Sequence, residues 1–161
     1  MDSEQVGIDP RAALVYSEAL RSITQQQGVL DQLRSRAGTL LGALWLATGF
    51  LAGLDGQDNG FGLWGWIAVV PFAVAVSGVC AILWPRHRWR FSMDADILIK
   101  GFLDADPPPT LDVMHRVLAG FLQRDYRANR DCLRWMFYIF EVATVMTVIE
   151  IVSWIIDLRR A

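Results

Sequence analysis

The chain has 161 residues, 53% of them hydrophobic, with a formal net charge of −2 and a mean hydropathy of +0.30. So apolar a composition is not that of an ordinary small water-soluble domain, and the length leaves little room for a separate enzyme fold. The near-neutral balance carries no basic footprint for nucleic acid, while Cys80 in an apolar run and Cys132 on a polar helix form neither a disulfide framework nor a metal site.

In chain order, Asp9 and Pro10 read as an N-cap and a proline at the first helical position. Tyr16, Ile23, Leu30 and Ala37 then recur every seven residues, with Ala19, Gln26 and Leu33 three places later. Nothing breaks this pattern, Gly28 costing only about 1 kcal/mol, so one helix is predicted over 10–54. Residues 1–36 form an amphipathic stalk with Leu30 and Leu33 as packing residues, and hold no short apolar core followed by a cleavage site. The first apolar span is therefore expected to act as its own insertion signal.

Residues 37–54 and 60–85 carry no charge, and each run approaches or exceeds the ~17–25 residues that cross a bilayer core. Asp55, Gly56, Gln57, Asp58 and Asn59 supply turn chemistry between them, so 37–84 reads as a two-span hairpin. Pro71 removes one backbone donor within the second span. Gly38, Gly42, Gly49 and Gly53 fall within about 60° of one another at ~100° per residue, a stripe suited to close helix approach. The first expectation for its occupant is the chain's own second span, through Ala68, Ala75 and Gly78; the alternative is another subunit.

Residues 85–134 read as a cytoplasmic helical region. Ser92 is expected to cap a short helix with Asp94 and Asp96 in its first turn, and Pro107, Pro108 and Pro109 a rigid turn. Thr110 then caps a helix whose apolar face includes Leu118 and Phe121, predicted to run unbroken into a third span over 135–157. The two stalks are expected to pack as a helical bundle. Residues 158–161 form a tail.

Arg34 and Arg36 before the first span, and Arg86, Arg88 and Arg90 after the second, place both ends of the hairpin in the cytoplasm and the C-terminus outside. These arginines are also the candidate contacts for anionic lipid headgroups or a phosphorylated ligand, beside their topological role. Trp64, Trp66 and Trp84 bracket the second span, and Trp135 and Trp154 the third, as interfacial anchors. His87 and His115 lack a third ligand at useful spacing.

Glu141 and Glu150 lie inside the third span, where a carboxylate costs roughly 2.5–3.5 kcal/mol. Nine residues apart, they point to opposite sides of their helix. One is expected to face the chain's own bundle, bonded to Thr48 or Ser77, and the other a subunit interface or aqueous path. Polar attachment between helices and an ion or proton route are the two roles open to them. With no nucleophile elbow, phosphate loop or paired histidine and carboxylate, an enzyme and a cofactor are not expected.

Two local motifs carry a resemblance. The run Leu33, Arg34, Ser35, Arg36, Ala37, Gly38, Thr39, Leu40, Leu41, and Trp84, Pro85, Arg86 at the exit of the second span, resemble the two-transmembrane SLATT and Pycsar-type effectors of bacterial conflict systems over residues 11–90. The pattern is also similar to small actinobacterial membrane proteins. The effector resemblance implies a homo-oligomer of the bacterial inner membrane that responds to a nucleotide-derived signal and permeabilises the bilayer against phage. The chain departs from that pattern in its third span and in lacking a separate nucleotide-binding domain. The competing expectation is a membrane anchor or scaffold whose stalks dock a cytoplasmic protein partner.

Overall fold

The structure, a computed structural model, describes residues 10–55, 63–85, 89, 96, 99–104 and 106–159, with the backbone alone at 54, 55 and 103. Its described regular structure is all helical: α1 (Pro10–Asp55), α2 (Leu63–Leu83), a π-helical turn (Ile99–Leu103) and α3 (Leu111–Leu158). Of these, α2 and α3 are long and apolar enough to cross a membrane; α1 is not one of the two.

The stalk helix and the apolar run that follows it are one element. Pro10 opens α1, where a missing N–H costs nothing because the first amides of a helix have no intrahelical partner. Gly28 does not interrupt it. Ile23, Leu30, Ala37 and Leu44, seven residues apart, are all buried, which is the seam a left-handed helical pack requires. α2 stays helical through Pro71, which is buried together with Ala68, Ala75, Val79 and Ile82.

α3 begins as the sequence predicts. The Met114 N–H donates to the Thr110 carbonyl at 3.0 Å, the first intrahelical bond expected of an N-cap residue, and Asp112 lies in the first, electropositive turn. The element just before it differs from expectation. Ile99–Leu103 is wound as a π-turn, closed by the Asp104 N–H on the Ile99 carbonyl five residues back at 3.0 Å. Ser92 and Asp94, the expected cap and acid of an ordinary helix, lie outside the described residues, as do the Gly56–Asn59 turn and His87.

Contacts divide the chain into two units. The first comprises Met1–Val29 and His87–Cys132, the second Leu30–Arg86 and Leu133–Ala161. Within the first unit the stalks do pack together. Ala12, Ile23 and Gln26 of α1 are buried, as are Leu118, Ala119, Leu122 and Asn129 of α3. Tyr16 stacks on His115 with ring centroids 5.3 Å apart, and the Gln26 side-chain amide donates to the Tyr126 carbonyl at 3.0 Å. Leu118 occupies the seam, but Phe121 stays 39% exposed, its ring carrying the Arg124 guanidinium 5.5 Å away. Three residues along a helix turn Phe121 off the buried stripe, so its expected packing role is not met.

Within the second unit three helices assemble. α2 runs against α3, because Gly65 near its start meets Asp157 while Gly78 near its end lies against Ile139 and Ala143. Trp45 of α1 meets Phe72 of α2 edge to face at 5.3 Å. Only residues 56–62 separate the end of α1 from the start of α2, so α1 runs parallel to α3 in this unit. Leu30 and Leu33 are buried here with Leu44, Val79, Ile82 and Met136.

Candidate functional site

One line of buried positions on α3 repeats every seven residues: Leu122, Asn129, Met136, Ala143, Glu150 and Asp157. Three of these six are polar, and all but Leu122 and Asn129 belong to the second unit. A seam that admits carboxyl groups must satisfy them internally, because a buried polar group without a hydrogen bond is costly.

Glu150 is fully buried. The Thr48 hydroxyl of α1 donates to its Oε1. Thr48 is unusual among the threonines. Thr24, Thr39, Thr144 and Thr147 each bond the carbonyl four residues back on their own helix, whereas Thr48 bonds across to α3. The expected pairing of one glutamate of the 135–157 run with Thr48 is therefore found. Trp154, expected as an interfacial anchor, is instead 2% exposed, since a position four residues from Glu150 lies on the same inward face.

Asp157 sits one heptad beyond Glu150 and is also buried. Its Oδ2 accepts the Gly65 N–H at 2.8 Å. Gly65 is the third residue of α2, so this carboxylate from another helix satisfies one of the amides that a helix start leaves open and meets the positive end of its dipole. Sequence reasoning missed Asp157. The signal was its seven-residue spacing from Glu150, obscured by its place beside the charged end of the run.

Glu141 is exposed, on the side of α3 away from Ala143. Around it Phe137, Tyr138, Val145 and Val148 are exposed as well, so a lone carboxyl stands in an outward apolar surface. The glutamates thus do face opposite ways, with only Glu150 inside the bundle.

The glycine stripe corrects the first expectation. A Cβ placed on Gly38, Gly42, Gly49 or Gly53 would meet nothing within 4 Å, so α2 does not lie on this stripe. The buried seam of α1 is carried by Ala37 and Leu44, and the glycines fall on the opposite side at ~100° per residue. Gly78 has its small-residue contact with α3, where an added Cβ would come within 3.3 Å of Ile139 and 3.5 Å of Ala143.

Of the basic group, Arg34 is half-buried and Arg36 exposed, while Arg86, Arg88 and Arg90 lie outside the described residues. Cys80 is exposed and Cys132 half-buried, both as free thiols. Among the described residues no cluster of three or more His, Cys, Asp or Glu side chains is placed to hold a metal ion.

Comparison with protein-family models, with curated proteins and with solved structures gave no match to this chain.

Proposed function

We propose that this chain is a non-catalytic, homo-oligomeric membrane effector with three spans, 37–54, 60–85 and 135–157, that permeabilises the bacterial inner membrane in a conflict or antiphage system. The observation that carries the reading is the outward placement of Glu141 in an apolar surface. Lipid offers a carboxylate no hydrogen-bond donor, so an intramembrane acid is kept where it meets protein or water. The open glycine stripe of α1 supports the same reading, since it leaves a surface for helix contact unused within one chain. Glu150 and Asp157 have a different part. Bonded to Thr48 and Gly65, they hold the three helices in register and do not line a path between subunits. Arginines 34, 36, 86, 88 and 90 keep the stalks in the cytoplasm, and a nucleotide-derived trigger is proposed on the effector resemblance alone.

Forced expression in a bacterium carrying a potential-sensitive dye tests this. Depolarisation is expected, and Glu141→Gln should alter it more than Glu150→Gln does. An unchanged membrane potential at high expression would defeat the permeabilising role, and a folded, monodisperse protein in the aqueous fraction would defeat membrane placement itself.

A second reading, an anchor whose stalks dock a cytoplasmic protein, is favoured by one feature of the first unit. Leu14, Val15, Ala19, Ala119 and Gly120 line an open groove between the two stalks, and Leu14 and Val15 are well exposed. Under this reading Leu14→Ser with Val15→Ser removes a co-purifying partner and leaves the helices folded. A chain that purifies alone argues for the effector.

A further inference from the structure

The first unit sets its two stalks side by side, parallel and in a definite register. Tyr16 stacks on His115, and Gln26, further along α1, bonds the Tyr126 carbonyl 100 positions away, so Ala19 is level with Ala119 and Glu18 lies within a turn of Arg116. Glu18, Ala19 and Ser22 of α1 and Arg116, Ala119, Gly120 and Gln123 of α3 line one open groove between the stalks. Its floor is small: a Cβ added to Gly120 would meet nothing within 4 Å. Its rims carry opposite charges. Glu18 on the α1 rim has a loose, exposed ion pair with Arg21 at 3.8 Å, a kind that contributes little in water. Arg116 on the α3 rim makes no ion pair among the described residues, so the acid and the base border the same groove without meeting across it.

We infer that this groove is filled by the same groove of a second copy, the two making a parallel four-helix stalk about a two-fold axis. With the membrane placement proposed above, copies inserted the same way are related by rotation about the membrane normal, which leaves every residue at its own level. Groove against groove, α1 of each copy lies across from α3 of the other. Glu18 of each then meets Arg116 of the other, and the two-fold axis makes this charge pair twice. On the same two rims the Gln123 amide donates to the Ser22 hydroxyl oxygen, whose own proton stays on the Glu18 carbonyl. Ala19, Ala119 and Gly120 at the centre let the helices approach closely. Spans that hold the copies in one membrane raise their effective concentration, so a modest contact is enough. The inference rests on the homo-oligomeric reading above and names its interface in the stalks.

The mass of the detergent-solubilised chain tests this. A protein mass that is an even multiple of 18.1 kDa is expected, and an odd multiple, a monomer included, overturns the inference. Gly120→Leu, at a position with open space inside its own chain, should halve that mass with helicity unchanged. Charge reversal is the second measurement. Glu18→Arg or Arg116→Glu alone should weaken association by roughly tenfold or more, since each sets like charges face to face twice, and the two together should restore it. An oligomer that persists through Gly120→Leu, or a double reversal no tighter than the single ones, overturns this interface. A different protein seated on the groove of a monomeric chain overturns it as well. Depolarisation by an oligomer indifferent to these substitutions overturns this interface alone, whereas pairing without depolarisation supports it while overturning permeabilisation.

Discussion

The two units use the same seven-residue seam against different surroundings. In the first, buried Ile23, Leu118 and Leu122 lie under a surface rich in charge, with Arg21 and Glu18 3.8 Å apart on it. In the second, the seam holds Glu150 and Asp157, while Trp45, Phe50, Val70 and Val148 face outward. Water makes it favourable to bury apolar side chains; in lipid, where the proposed membrane placement puts the second unit, the groups that gain from burial are those that can bond one another. A single helix, α3, carries both arrangements, its seam changing from Leu122 to Glu150 without a change of period.

The largest expected effect compares two equally exposed valines. Val148 is 57% exposed in the second unit and Val15 58% in the first. Val148→Asp should reduce membrane insertion by the equivalent of about 2.5–3.5 kcal/mol, whereas Val15→Asp should stay within about 0.5 kcal/mol. Insertion assays and thermal melting read both, and equal losses would erase the distinction between the units. Two glycines come next. Gly78→Leu must push against Ile139 and Ala143 and should destabilise by about 1–3 kcal/mol. Gly28→Ala, with open space around it, should add up to about 1 kcal/mol of helix stability.

Smaller effects sharpen the contrast between the polar contacts. Thr48→Val removes a donor from buried Glu150, and Asp157→Ala removes the cap on Gly65; each should lower the melting stability of the detergent-solubilised protein by about 1 kcal/mol. No change on either substitution would mean that these bonds do not hold the register. Gln26→Leu in the first unit should be closest to neutral, within about 0.5 kcal/mol, because a lost net hydrogen bond of about 1 kcal/mol is offset by apolar burial at a seam position.

The helices were legible because their signals are local. Pro10 and Thr110 mark starts, uncharged runs mark the apolar segments, and the seven-residue pattern of α1 led directly to the buried Ile23, Leu30 and Ala37. Partners were less legible. Glycine spacing defines a face of α1, but Gly38 and Gly42 could not reveal that this face lies opposite the seam, since that depends on Leu44 winning the contact. The seam of α3 escaped detection beyond Leu122 because its later members, Asn129, Ala143 and Asp157, are small or polar and do not read as core. Trp154 resembled a boundary aromatic by position in the run, and only its closeness to Glu150 along the helix argued otherwise.

The bond from Gly65 to Asp157 also imposes an order in time. Donor and acceptor are 92 residues apart, so at a ribosomal rate of ~5–20 residues per second the amide waits roughly 5–20 s for its carboxylate. During that interval the beginning of α2 must find a temporary acceptor, from solvent or from the machinery that receives the nascent chain. Closure of the α2–α3 contact is thus coupled to the pace of translation, and slowing elongation between these two codons lengthens the wait without altering a single contact of the finished molecule.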